Sequence, residues 1–378
     1  MKKIGIITHY YGSQNYGGLL QAYALCKKLN SMGGHAEQIQ YSCENKTFLE
    51  RQWNMKRVLN IIKSRLFFVA NKKFFDNMRV RAQMFANFRN LIPHSKQVYF
   101  HDTIANTNLI YDCFITGSDQ VWNMDWYDEA YFLKFVEGKP KYAYAASIGT
   151  NKLTEERKRI FKENLRGYTG ISVREKDTIQ LLQPLSNIRI QSVLDPTLLL
   201  DKKEWDKICK PRKFNDTYLF CYFLGDDKTE RDLAREYAEK HNLKIVTLPF
   251  LGGQKRSCDL KFGDIKLYDV CPAGFISLIK YSDCIFTDSF HACVFANIYE
   301  KNFYVFERAG FANMSNRISS LTNMFGNNQR FCNVPERQNF KYLDKIRELG
   351  SDKSNFNVEL KKSNVFLQKL INNDLSIK

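Results

Sequence analysis

The stretch from Tyr281 to Phe306 constrains this chain more than any other. Cys284 to Thr287 is a short apolar, β-prone run, which Asp288 and Ser289 interrupt with turn and cap chemistry. Ala292 to Ile298 resumes an apolar run without turn residues, and Asn302 to Phe306 is a second β-prone run. Strand, sharp loop, short helix and strand make a βαβ unit with His291 at its strand-to-helix corner. Open α/β sheets take ligands at such corners, beyond the carboxyl ends of the strands. The helix start there offers unpaired N–H groups and a positive dipole end, which suit phosphate or carboxylate. Ser289 reads as a ligand contact or as the helix cap, and Asp288 as a ligand contact or a turn residue. His291 reads as functional, because a histidine at this corner faces a crevice and histidine changes charge near neutral pH. The alternative is a satisfied histidine at a helix start.

The rest of the chain alternates in the same way. Lys3 to Thr8 reads as a buried strand and His9 to Tyr16 as a loop. Gly17 to Met32 reads as a helix stopped by Gly33-Gly34, and His35 to Tyr41 as a strand. No Gly-x-Gly-x-x-Gly follows the first strand, so this is not the dinucleotide fingerprint. The turn still sets Asn15, Tyr16, Gly17 and Gly18 at a helix N-terminus, either for a ligand or for a tight turn alone. Further strands are expected at Asp112 to Thr116, Tyr142 to Ser147, Ile171 to Val173 and Ile188 to Leu194. The first of these ends in Gly117-Ser118-Asp119-Gln120, the third at Arg174. This half is therefore an α/β domain with a largely parallel sheet.

Asp195-Pro196 reads as the exit from that domain. A second alternation follows. Strands are expected at Tyr218 to Leu224 and Lys244 to Leu248, helices at Lys228 to His241 and Pro272 to Lys280. After the βαβ unit come helices at Asn313 to Phe325, carrying Arg317, and at Phe356 to Ile371. The expected architecture is α/β: two Rossmann-like domains, 1–197 and 198–378, facing a cleft. The first carries a basic helical insert at about 46–92, and a C-terminal helix closes the second. Strand ends would bring His9, Asn15, Ser118, Asp119 and Arg174 to the cleft from one side, and Ser289, His291 and Arg317 from the other.

At 378 residues two domains are the natural expectation, and 44% hydrophobic with 14% aromatic content suffices for their cores. No run of eighteen apolar residues reads as a membrane span. The start of the chain reads as a first strand rather than a signal sequence, since its apolar part is short and runs into polar residues. Ten scattered cysteines without Cys-x-x-Cys indicate neither a metal site nor a disulfide framework, and a reducing cytoplasm is the expected compartment. The net charge of +17 calls for an anionic partner: nucleic acid, membrane surface or substrate. Residues 51 to 92 hold ten lysines and arginines against Asp76 alone, interleaved with Phe67, Phe68, Phe74 and Phe75. They read as a packed helical insert with a solvated basic face, or as a surface touching anionic lipid or polymer at the inner face of a membrane. No nucleic-acid module is recognisable, so nucleic acid is not expected as a partner.

Five blocks in order resemble the polysaccharide pyruvyl transferase family over nearly the whole length: Asn15 to Leu25, Gly117 to Asn123, Ser172 to Glu175, Val193 to Thr197 and Thr287 to Ala292. The resemblance implies a two-domain fold like that of GT-B glycosyltransferases. It also implies transfer of the enolpyruvyl carbons of phosphoenolpyruvate to two hydroxyls of a sugar, free or lipid-linked, giving a ketal. Phosphoenolpyruvate would be a substrate, and no cofactor or metal is implied. The family's arginine in the Ser-Val-Arg block matches Arg174, a carboxylate or phosphate clamp. Its cleft histidine matches His291, a proton donor or phosphate stabiliser. Asp119 would orient or deprotonate the sugar hydroxyl, or be a turn residue; Arg174 would alternatively pair with Glu175 or Asp177. Asn15, Tyr16, Gly17, Ser118, Gln120, Asp288 and Ser289 are expected to bind substrate. Many members carry arginine two positions before the histidine, where Ser289 stands, and glycine after it, where Ala292 stands. Arg317, with Arg308 in reserve, is expected to replace that cation. A GT-B glycosyltransferase with a nucleotide-sugar donor is the alternative, since fold does not fix function.

Overall fold

A computed structural model describes residues 1–43, 71–251, 256–308 and 312–375. Two parallel sheets carry the chain. The first holds β1 (Lys3–Ile7), β2 (His35–Tyr41), β3 (His94–Tyr99), β4 (Cys113–Thr116), β5 (Lys141–Ala146), β6 (Gly170–Val173) and β7 (Ile190–Ser192), in the order β3-β2-β1-β4-β5-β6-β7. The second holds β8 (Tyr218–Tyr222), β9 (Lys244–Thr247), β10 (Ile265–Lys266), β11 (Cys284–Thr287), β12 (Asn302–Phe306) and β13 (Phe331–Cys332), in the order β10-β9-β8-β11-β12-β13. Parallel strands covered on both faces need continuous apolar runs. Cys113–Thr116 and Cys284–Thr287 are accordingly buried at every residue.

Strand order reverses between β1 and β4 in the first sheet and between β8 and β11 in the second. A crevice opens at such a switch point. Both switch points face the same cleft, so the loops after β1, β4, β8 and β11 become its walls.

The helix Tyr16–Ser31 sits between the sheets. It is buried without a break from Tyr16 to Cys26, because it packs on both halves rather than on one face. Tyr16 stacks on Phe275 at 4.8 Å, and its hydroxyl donates to the Val270 carbonyl at 3.0 Å. One apolar cluster thus runs from Ile4 and Leu20 of the first half through Tyr222 and Phe275 of the second.

Three expectations need correction. The helix Ser354–Asn372, assigned from chain order to the second half, bridges both: Phe356 stacks on Phe325 of the second half at 4.7 Å, while Phe366 lies 6.1 Å from the Tyr144 ring of the first and Ser363 accepts the Leu194 N–H at 2.9 Å. Strands β3, β10 and β13 were not expected. In the basic insert the packed helical reading holds, with Lys72, Lys73 and Arg79 exposed, but Arg81 departs from it. In its described portion, the helix Lys72–Arg89, Arg81 is buried and donates to the carbonyls of Pro249, Leu267 and Tyr268 at 2.8, 3.1 and 3.3 Å. It ties the insert to the second half instead of facing solvent. Residues 44–70, with Phe67 and Phe68, lie outside the described residues. Among the described residues no helix is long and apolar enough to cross a membrane.

Candidate active site

The first half supplies a buried ion cluster at its strand ends. Arg174 follows β6 and is almost fully covered. Its Nη1 donates to Asp195 at 2.9 Å, its Nε to Glu175 at 3.1 Å, and Asp119 lies 3.8 Å from Nη2. Asp195 is itself held by Thr197, whose N–H and hydroxyl donate to it at 3.0 and 2.6 Å. Asp119 follows β4 with φ of 74°. That conformation costs a non-glycine residue about 1 kcal/mol, and such residues cluster at functional sites. His9, just past the end of β1, packs against Tyr131 with ring centres 4.1 Å apart and the rings tilted, and faces Asp119.

The second half supplies the other wall. Ser289 caps the helix Phe290–Ile298 by accepting the Ala292 N–H at 3.5 Å. His291 enters the cleft from the first turn, with Nε2 3.7 Å from Asp195. At that distance it is an ion-pair neighbour and not a hydrogen-bond donor. Its Nδ1 side lies against Gly17 at the start of the helix Tyr16–Ser31, where a side chain would collide with the ring. Arg317, from the helix Ala312–Met324, lies 3.3 Å from Glu175. Arg174 and Arg317 both stand over the Phe290 ring, at 5.3 and 5.1 Å from its centre.

These groups line or underlie a cavity of about 1270 Å³ between the halves. Two helix N-termini, at Tyr16 and Phe290, open into it, each favouring an anion. Burial would push the Asp119 carboxyl up, but Arg174, His291, Arg317 and His9 outweigh it and leave the group below its ordinary value. Asp195 is also fully buried, yet His291, Arg174 and Thr197 hold it far below the carboxylate range. Burial, reinforced by the like charge of Arg174, brings Arg317 down to about 10 against the pull of Glu175. Burial likewise lowers His9. Three buried nitrogens, Arg174 Nη2, Arg317 Nε and His291 Nε2, make no aligned hydrogen bond among the described residues, though each lies 3.3 to 3.8 Å from a carboxylate, Asp119, Glu175 and Asp195 respectively. Among those residues no group of His, Cys, Asp and Glu is arranged to hold a metal ion.

The cleft brings together His291, Asp119, Arg317, Ser289, Asn15, Gly17 and Gln120, with Arg174 beneath them. Tyr16 is on the wall, but its hydroxyl is committed to Val270. Ser118 and Asp288 are not on the wall. Ser118 is fully buried, with its hydroxyl 3.1 Å from the Ala145 carbonyl. Asp288 accepts from the N–H groups of Leu224 and Gly225 at 2.7 and 2.6 Å and from Arg308 at 3.0 Å. It locks the loop after β8 to the loop after β11, so it shapes the site from below. Asp195, read as the exit from the first domain, sits at the centre of the cluster, and Glu175 pairs with Arg174 there, as the alternative reading of Arg174 had it. Their membership in blocks shared with the resembled family was the available signal.

Beside Asp288, Glu230 is buried with one carboxyl oxygen unpartnered among the described residues. Burial pushes it up to about 9 from 4.5, helped by Asp288 and Asp227. Between those values the folded protein keeps a proton that the unfolded chain has released. Stability therefore falls as pH rises through that window, by up to about 1.4 kcal/mol per unit. Glu230→Gln is expected to flatten the slope, raising Tm at pH 8.5 by about 2–4 °C or more and leaving it nearly unchanged at pH 5. Thermal melts across pH check this, and parallel curves for the two proteins would contradict it.

The two parallel sheets around one cleft define the GT-B architecture. A solved structure agrees. A UDP-N-acetylglucosamine 2-epimerase from Rickettsia bellii matches with 10% identity over 98% of this chain and 95% of its own, at a TM-score of 0.52. An Anabaena protein solved with UDP and glucose matches with 10% identity over 99% and 98%, at a TM-score of 0.48. No match is found among curated proteins. The sequence profile described as polysaccharide pyruvyl transferase matches residues 15–310, and the chain belongs to that family of transferases.

Proposed function

We propose that the protein transfers the enolpyruvyl carbons of phosphoenolpyruvate to two hydroxyls of a sugar in a cell-surface polysaccharide or its precursor, such as capsule or cell wall, forming a ketal. The observation that carries this reading is the set of unfilled donors. Arg317 and His291 line the cleft and Arg174 lies beneath it; each carries a buried nitrogen that makes no aligned hydrogen bond, set beside a carboxylate and between two helix starts. Phosphoenolpyruvate brings a carboxylate and a phosphate close together, and charge-assisted bonds to them are strong. Arg317 gains most from such an anion, since burial and Arg174 both disfavour its charge.

In the proposed sequence His291 delivers a proton to the methylene carbon of the donor, leaving an oxocarbenium-like centre at the adjacent carbon. Asp119 accepts a hydrogen bond from a sugar hydroxyl and orients it. Its depressed pKa makes it a weak base. His9, lowered by burial and hence neutral at pH 7, is better matched to take the hydroxyl proton. The sugar oxygen bonds to the electron-poor carbon, the bond from that carbon to phosphate breaks, and the second hydroxyl takes its place. Of the two hydroxyl protons, one replaces that delivered to the methylene and one departs with phosphate. One donor and one diol thus give one ketal and one inorganic phosphate.

Ten free cysteines fit a reducing cytoplasm. The +17 charge fits a lipid-linked acceptor at an anionic membrane face, an attraction that salt would weaken. The deciding experiment incubates the protein with phosphoenolpyruvate and oligosaccharide or lipid-linked precursors, following phosphate release and the mass of the sugar. Hexose transfer from UDP- or GDP-sugars, without phosphate release from phosphoenolpyruvate, would replace this reading with a glycosyltransferase. Within it, Arg317→Ala is expected to weaken phosphoenolpyruvate binding by roughly 1.5–3 kcal/mol. Calorimetric titration measures this, and an unchanged Kd would remove Arg317 from the donor site.

A further inference from the structure

We propose that Trp126 and Tyr127 form the acceptor subsite: an aromatic platform on which a sugar ring of an oligosaccharide stacks while its hydroxyls reach Asp119. The assignment of those hydroxyls rests on the ketal-forming reading; the platform itself requires only a glycan acceptor. Trp126 is 56% exposed and Tyr127 42%, whereas the other described tryptophans, Trp122 and Trp205, are fully buried. Adjacent large aromatics left in water mark a binding surface. Here they line the cleft wall, in the same loop as Asp119.

The platform is held in place before any ligand arrives. Tyr127 packs at 5.5 Å from Phe132, and its hydroxyl accepts from Asn164 at 3.3 Å. The Trp126 indole N–H points at the Gln120 carbonyl, 3.5 Å away and next to Asp119 in sequence. Asp125 is fixed by Arg157 at 2.7 Å. Rings already ordered lose little entropy on binding. A pyranose presents an apolar C–H face to an aromatic ring and hydroxyls at its edge. The carboxylates Asp119, Asp125 and Asp128 around the platform accept hydroxyl hydrogens. Asp125 and Asp128 also disfavour phosphate, so the platform end of the cleft favours a neutral glycan over a stacked nucleotide base.

The test is a glycan array of defined oligosaccharides probed with wild type, Trp126→Ala and Trp126→Phe. Wild type is expected to bind a subset of the glycans. Trp126→Ala is expected to lose about tenfold or more in affinity and Trp126→Phe to keep most of it, as stacking requires. An array blank for wild type, or equal binding by wild type and Trp126→Ala, would overturn the proposal, as would UDP displacing bound glycans only when Trp126 is present. Calorimetry of the unmodified protein with phosphoenolpyruvate keeps the two readings apart. Glycan binding without phosphoenolpyruvate binding leaves the platform standing and fails the donor assignment; donor binding with a blank array does the reverse.

Discussion

His291→Asn is expected to give a folded protein whose turnover is reduced by about 10²-fold or more, the range of a lost general acid. The fold should tolerate the change because the helix start does not depend on the imidazole: Ser289 makes the cap to Ala292. Arg174 and Thr197 still hold Asp195 when His291 is gone, so that buried carboxylate keeps partners. The asparagine amide is smaller than the ring and carries no titrating proton. It leaves some space beside Gly17 and Phe290, at a cost of about 1 kcal/mol. Turnover is then the quantity that falls. Thermal stability and phosphate release measured on one preparation separate the roles. A lower Tm with normal turnover per folded molecule would make His291 a packing residue and remove it from the mechanism.

Much of the fold was legible because parallel strands covered on both faces are unbroken apolar runs. β11, β12 and the helix Pro272–Lys280 fall on the expected residues. β10 and β13 are two residues long and carry too little pattern to read. β3 lies at a sheet edge with only two of its six residues buried, so no apolar run announces it. The C-terminal helix shows the same limit in another form: its apolar face says that it packs, but not that it bridges both halves.

In the site, residues at strand ends could be placed because topology alone brings those ends together. Bonding within the cluster could not. Ser118 and Asp288 are polar residues in the right loops, yet their partners are backbone groups of distant strands and loops. Asp195 precedes a proline and so reads as a boundary, while its charge is what fixes Arg174 and attracts His291. Such pairings join residues tens of positions apart and leave no local periodicity.

Gly17→Ala is expected to lower turnover by about 10²-fold from the opposite wall, and to lower Tm as well, since the ring it displaces is buried. The backbone at Gly17 has an ordinary φ, so glycine is not required there for conformation. Alanine would even favour the helix, by about 0.5–1 kcal/mol. What glycine provides is space: a methyl group would overlap the His291 ring at Nδ1, Cγ and Cε1, far inside van der Waals contact. The ring must then swing away, losing its position beside Asp195 and its reach to the donor. Gly18→Ala is the matched control, because its methyl group would meet Asn15, His9 and Ser13 no closer than 3.5 Å, an ordinary contact. It is expected to stay near wild-type turnover. The decisive comparison is the double variant. If the Gly17 methyl acts only by displacing the imidazole, adding it to His291→Asn should cost little more, a strongly non-additive pair. Additive losses would mean that Gly17 acts through the helix N-terminus itself, and full activity of Gly17→Ala would mean that the working enzyme holds His291 elsewhere.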